Sequence, residues 1–321
     1  MKDRTPAERP LTGVDVVVTL AAMALTLTGH RPLVDATVVG GLGVIAPLAL
    51  GRSRWWTAAA VGTAVAFAMP AGRPAVSLLT PAGVAAILAV VRALRPVRTP
   101  VGLDDAVRTL AAGWAVVAVG ALAASVAGRE LFDIGEPIVR LTAVHFLYAG
   151  VGALTVARRL RAETDRPTPG SAPARPTVVS GTANVAVVAT ALAPPVVAVG
   201  FVLGAAAAQI GGAVLMTAGV WASALALLAS TNRTPRPGRT LRLVAGLTPW
   251  VPMVLAVAWA IAQHVVGSPA LSVADMGRWH GLANGVGFVL LGLLATGPVV
   301  DGGSERAPGM TGVDRAAEVT A

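Results

Sequence analysis

The charges of this chain are bunched into short clusters, and between them lie uncharged apolar runs of roughly 16 to 22 residues, the length an α-helix needs to span about 30 Å of hydrocarbon. This alternation runs through most of the 321 residues, of which 55% are apolar and 13% charged. The fold class it implies is all-α, a polytopic transmembrane helical bundle. In order, the crossings read as Leu11–Gly29, Leu33–Leu50, Trp56–Ala71, Ala75–Val91, Val107–Ala127, Pro137–Ala157, Val178–Leu203, Ala206–Ala229, Leu243–Val266 and Trp279–Val299, about ten helices in all. The uncharged stretch from Pro176 to Asn232 holds two of them, with its turn at either Gly200–Gly204 or Ala193-Pro194-Pro195.

The arginines orient the bundle. With the N-terminus cytoplasmic, ten crossings put 20 of the 25 basic residues on the inner side and leave only Arg31, Arg73, Arg129, Arg140 and Arg278 outside. Both termini are therefore expected in the cytoplasm, in a multi-pass protein of the cell membrane. Lys2, Arg4 and Arg9 before the first apolar run have the outline of a signal peptide, but more membrane follows, so an uncleaved first helix is expected. The inner connection 158–177, from Arg158 to Thr177, is rich in proline, arginine and small polar residues and could not bury a core. It reads as a linker between a first membrane bundle, 1–157, of six helices and a second, 178–300, of four, and 301–321 reads as a disordered tail.

Several functions are excluded. The net charge of +9 comes almost wholly from arginine flanking apolar segments, without the cationic face and interleaved aromatics of a nucleic-acid binder. There is no cysteine for disulfides, thiolate chemistry or iron–sulfur clusters. The chain also lacks a Gly-x-Ser-x-Gly elbow, a His-Glu-x-x-His helix, a phosphate-binding glycine loop ending in Lys-Ser/Thr and a paired aspartate-rich motif.

What remains is a small set of polar residues inside apolar runs. Arg140-Leu-Thr-Ala-Val-His145-Phe-Leu-Tyr148-Ala-Gly150-Val-Gly152 lies in the sixth crossing, and Trp279-His280-Gly-Leu-Ala-Asn284-Gly285-Val-Gly287-Phe288 in the tenth. Aligning His145 on His280 also aligns Leu147 on Leu282, Gly150 on Gly285, Val151 on Val286 and Gly152 on Gly287, which predicts two parallel, equivalent helices of a weak internal repeat. In the proposed orientation all four histidines, His30, His145, His264 and His280, fall on the outer side. Glu130, Asp133, Glu136, Asp35 and Asp275 join them, while the inner path offers no carboxylate, histidine or arginine.

The two stretches resemble the YndJ-like family of bacterial integral membrane proteins. Pro137 to Gly150 is similar to that family's proline-led Val-Arg-Leu-Thr-Ala-Val-His-Phe-x-Tyr-Ala-Gly helix, and His280-Gly281, Asn284 and Gly287-Phe288 to a later His-Gly-x-x-Asn-x-x-Gly-Phe helix. The resemblance implies a multi-pass membrane protein whose functional core is His145, Tyr148, His280 and Asn284, and it implies no particular reaction. One departure is Leu147, where the family is expected to carry a second histidine, and this counts against a metal site.

Two readings of these residues stay open. Residues i, i+4 and i+7 share a helix face, so His145, Ala149, Gly152 and His280, Asn284, Gly287 form stripes on which small residues let backbones approach while His and Asn hydrogen-bond across the contact. Glu136 and Arg140, at i and i+4, read as an interfacial ion pair. Alternatively, ionisable groups at this depth mark a site. His145, Tyr148, His280, Asn284 and Glu136 are then the candidate catalytic residues of an outward-facing pocket, in an intramembrane acid–base enzyme of isomerase or cyclase type acting on a lipophilic small molecule. Such a reaction calls for no cofactor, and the partners expected are the lipid bilayer and that substrate, with no nucleic acid. A small-molecule transporter or membrane sensor is the first alternative, with Pro194-Pro195 and Pro249/Pro252 as helix breaks. A metal or haem site is the second, and it would need His30 or His264 to complete the ligand set.

Overall fold

The computed structural model describes residues 12–27, 32–95, 102–165, 178–234, 236–268 and 271–297. Among them the chain forms ten helices and no strand. Eight are long and apolar enough to cross a membrane: α2 (Leu33–Leu50), α4 (Arg73–Leu94), α5 (Leu103–Val126), α6 (Ile138–Thr164), α7 (Ser180–Val202), α8 (Ala206–Ser230), α9 (Gly238–Val266) and α10 (Val273–Thr296). Two shorter helices, α1 (Gly13–Thr26) and α3 (Arg54–Ala68), complete the set. The chain is a multi-pass helical membrane protein, and each expected crossing coincides with one helix.

The differences lie at the ends. α6 does not stop at Ala157 but runs to Thr164, because Arg158 to Glu163 are good helix formers and the turn is held by buried Arg159 and Leu160. The turn between α7 and α8 falls at Gly204, in the left-handed region with φ +61°, and Gln209 Nε2 donates back to the Gly200 carbonyl oxygen at 3.1 Å. Pro194 and Pro195 do not break α7. They remove two backbone donors, but α8 packs so closely alongside that a Cβ at Gly212 would stand 2.4 Å from Val197 Cγ2. His30, residues 166–177 of the expected linker and the tail 301–321 lie outside the described residues.

Successive helices alternate in direction, so α2, α4, α6, α8 and α10 run in parallel. Contacts at both ends show it. Asp35 near the start of α2 meets Arg140 near the start of α6, and the ends of the same two helices are joined by Arg159 bonding to the Leu48 carbonyl oxygen. The two ends of the bundle are called here the histidine end and the arginine end. The packing that links α2, α6 and α10 is apolar and tight, with Leu42, Ile45, Leu147, Val151, Phe288 and Val289 all buried.

Candidate functional site

Tyr148 is the point on which three parallel helices converge. At its level α2, α6 and α10 all widen from α- to π-helical hydrogen bonding, over Gly41–Ile45, Phe146–Ala153 and Ala283–Leu290, with a further π turn at Gly277–Gly281. Such turns are rare and concentrate at functional sites. Each wide segment carries Gly-x-Gly: Gly41 and Gly43, Gly150 and Gly152, Gly285 and Gly287. The tyrosine ring needs two of these glycines. A Cβ at Gly41 would stand 3.2 Å from its Cε2 and one at Gly285 3.0 Å from its Cε1, so the ring is clasped between two bare backbones. Its hydroxyl donates to the Thr37 carbonyl oxygen at 3.1 Å. Tyr148 therefore ties α6 to α2, and its hydroxyl proton is already committed.

Toward the arginine end α6 and α10 stay in register, with Gly152 against Val289 and Val156 against Gly292. The two helices thus run parallel as expected, with the aligned segments offset by about half a turn. Toward the histidine end the two helices still share α2 but differ in their other neighbour. Ile138–His145 packs on α2 and α5, whereas Gly277–Gly281 packs on α2 and α9.

His145 and His280 lie on this diverging stretch, within electrostatic reach of one another. His145 Nδ1 sits 3.0 Å from the Leu141 carbonyl oxygen, and its ring is exposed. His280, partly buried, places Nδ1 2.8 Å from the Pro252 carbonyl oxygen on α9. A carbonyl oxygen only accepts, so in both rings Nδ1 carries the hydrogen, and in the neutral form both Nε2 atoms are bare acceptors. The Asn284 carboxamide is 3.2 Å from His280 Nδ1, one turn further along α10, and its shielded Oδ1 has no hydrogen-bond partner. Turning that amide so that oxygen faces the donating ring removes the clash of two donors and puts its NH2 in the shielded position, where no described residue receives it. α9 contributes its own irregularity here. It is interrupted at Thr248-Pro249, where a Cβ at Gly287 of α10 would meet Thr248 Cγ2 at 2.3 Å.

Glu136 is not brought to the histidines by any of these bonds. It accepts a short hydrogen bond from Ser125 Oγ of α5 and pairs with Arg140 Nε at 3.8 Å, the expected i, i+4 contact. Arg140 has a shorter partner that sequence spacing did not reveal, Asp35 of α2, at 2.7 Å. Its guanidinium also donates to Ser125 Oγ at 3.0 Å and lies 4.7 Å from the centroid of the Phe67 ring. This charged cluster joins α2, α3, α5 and α6. Asp275, expected on the outer side, is held by Ser272 in the first turn of α10, accepting from its hydroxyl at 2.7 Å and donating its N–H to it at 3.1 Å. His264 bonds Gln209 at 2.8 Å, joining α9 to α8. Among the described residues no three His, Asp or Glu side chains gather as a metal ion would require.

The expectation of an inner path without arginine is overturned by the longer α6. Arg159, 5% exposed, donates to the Leu48 carbonyl oxygen of α2 and, at 3.0 Å, to the Leu293 carbonyl oxygen of α10. Arg242 of α9, also 5% exposed, donates to Ser230 Oγ at 2.6 Å, to Glu163 at 2.9 Å and to the Ala295 carbonyl oxygen at 3.2 Å. These two side chains bind α2, α6, α8, α9 and α10 together at the arginine end.

Sequence reasoning missed the part played by α2. A signal was present, since Gly40-Gly41-Leu-Gly43-Val repeats the glycine pattern of the other two helices. The Pro252 carbonyl oxygen that fixes His280 had no such signal, because any backbone carbonyl could have served.

A family model described as YndJ-like protein matches residues 44–288, and no curated protein or solved structure matches. The match spans well over half of the chain, which belongs to the YndJ-like family.

Proposed function

We propose that in this YndJ-like protein the diverging ends of α6 and α10 form an outward-opening site for a lipophilic small molecule, with His145 and His280 as the proton-transferring pair. The observation that carries the reading is the common state of the two rings. Each is held through Nδ1–H by a backbone carbonyl, which leaves Nε2 as a fixed acceptor, and a general base needs this arrangement. In a proton-shift isomerisation one Nε2 takes a proton from a carbon of the substrate, and the imidazolium so formed returns that proton, or one exchanged for it from water, at a second carbon. Asn284 holds the His280 ring and offers its amide N–H to a substrate oxygen. Tyr148 is a positioning residue that forms the floor. Glu136 acts through Arg140 on the shape of the mouth. The orientation with both termini cytoplasmic places the mouth at the outer face of the cell membrane.

A transport role is the second reading, favoured by the interruption of α9 and the wide turns of α2, α6 and α10 at one level. It would require the Arg159 and Arg242 contacts to open, whereas the enzyme reading leaves them closed throughout.

The test uses solvent deuterium. Cells producing the wild-type protein in D2O should contain a lipophilic species with carbon-bound deuterium that is absent from cells producing His145→Ala or His280→Ala at equal membrane yield. Identical lipid profiles in the three strains would sink the enzyme reading. Movement of one compound across proteoliposome membranes, lost in both variants, would favour transport instead.

A further inference from the structure

α1, α3 and α4 line an open groove of about 620 Å³ with none of the histidines in its walls. One end is charged. Asp15, in the first turn of α1, accepts from the Thr57 hydroxyl at 2.9 Å and from the Thr12 hydroxyl at 2.8 Å. Arg54, the first residue of α3, is exposed, with its guanidinium 5.6 Å from the centroid of the Trp55 ring, and forms no ion pair among the described residues. From Arg54 the groove continues along Val61 and Val65, 40% and 39% exposed, to Leu78 of α4. Its back is closed where α3 and α4 touch, since a Cβ at Gly62 would stand 2.3 Å from the Leu78 carbonyl oxygen.

The dimensions and charges suit one kind of occupant. At 1.5 Å per residue the wall from Arg54 to Val65 is about 16 Å long. That is close to half of a hydrocarbon core about 30 Å thick, the depth reached by the acyl chain of a single leaflet. An exposed guanidinium and a carboxylate lining the same apolar slot match a zwitterion that carries both a phosphate and an ammonium. We propose that this groove holds a membrane phospholipid with an amine headgroup, its phosphate on Arg54, its ammonium on Asp15 and one acyl chain along Val61 and Val65. The assignment is independent of the histidine site.

The experiment uses the full chain in nanodiscs of equal phosphatidylethanolamine and phosphatidylglycerol, with retained lipids counted by native mass spectrometry. The wild-type protein should retain the ethanolamine lipid with about fivefold preference, the equivalent of ~1 kcal/mol. Asp15→Asn should bring that preference to parity, Arg54→Gln should lower retention of both lipids, and Val61→Trp, which fills the slot, should release the lipid while the charged end stays intact. Arg54 and Val61 are both exposed, so these two variants keep the test decisive even if Asp15→Asn fails to fold. Retention unchanged in all variants, or a preference for phosphatidylglycerol, would overturn the proposal. So would a lipid-free dimer that Val61→Trp dissociates, because a second copy of the chain would then occupy the groove.

Discussion

Gly152→Ala tests the contact on which the site geometry rests. The new Cβ would stand 2.4 Å from Val289 Cγ1 of α10 and 3.0 Å from Ile45 Cγ2 of α2, against an ordinary carbon contact of about 3.5 to 4.0 Å. Both neighbours are buried and β-branched, so neither can swing clear by changing χ1 at low cost. The helices have to separate, and overpacking of this kind costs roughly 1 to 3 kcal/mol, here toward the upper figure because two stiff side chains are struck at once. About 1 kcal/mol returns from replacing glycine by alanine within a helix, which leaves a net loss of about 2 kcal/mol. Val289→Ala alone opens a small cavity at the same point and should also cost about 2 kcal/mol. Combined, the alanine at 152 enters the space that Val289 vacates, so the double variant should be no less stable than either single one, a coupling of about 2 kcal/mol. Thermal midpoints in detergent should fall by roughly 4 to 8 °C for each single variant and by no more for the pair, at about 2 to 4 °C per kcal/mol. Additive losses would mean that α6 and α10 do not meet at this level, and the site proposed at their ends would fall with that contact.

The charged cluster should be unequal in its parts. Asp35, with 6% of its side chain exposed and 2.7 Å from Arg140, belongs to a buried pair, and Asp35→Asn should cost about 3 kcal/mol in a chemical or thermal unfolding series. Glu136, 27% exposed and 3.8 Å away, should cost less than ~1 kcal/mol as Glu136→Gln, and the reverse ranking would make Glu136 the true partner. Topology can be read with single cysteines in this cysteine-free chain. Ser268→Cys should react with a membrane-impermeant thiol reagent in intact cells and Ser171→Cys only after lysis, and the opposite pattern would invert the bundle.

The number and order of the helices were legible because hydropathy is a local property: each run carries its own evidence, and α1 to α10 fall where the uncharged stretches lie. The ends of helices were less legible, because charge was taken to mean exit from the membrane. Arg158 to Glu163 continue α6 since an arginine can stay inside a bundle when carbonyl oxygens receive it, and those carbonyls belong to residues far away in sequence. The ion pair Glu136–Arg140 could be written down from spacing four, but Asp35 is 105 residues from Arg140 and only the fold brings it near. The histidines were found as apolar-run exceptions. Their tautomers were not, since Leu141 and Pro252 contribute backbone atoms that every residue possesses.

The parallel course of α2, α6 and α10 also accounts for where the charges sit. Parallel helices stack their partial positive ends together and their partial negative ends together, and neither stack is stable in an apolar bundle without counter-charge. At the histidine end Asp35 lies in the first turn of α2, Asp275 in the first turn of α10 and Glu136 just ahead of α6. At the other end Arg159 bonds the last carbonyls of α2 and α10 directly, and Arg242 bonds another in α10. Carboxylates thus sit at the partial positive ends of the three helices and guanidinium groups at their partial negative ends, although each end also holds the opposite sign, Arg140 paired with Asp35 at the histidine end and Glu163 with Arg242 at the other. His145 and His280 stand apart from that pattern. They lie about two turns beyond the first residues of α6 and α10, where the terminal dipole has faded, and among the described residues nothing bonds their Nε2 atoms. Side chains that hold helices together commit their polar atoms to the contact, as Tyr148 does, and the two uncommitted nitrogens are therefore the atoms whose removal should change chemistry while leaving the bundle intact.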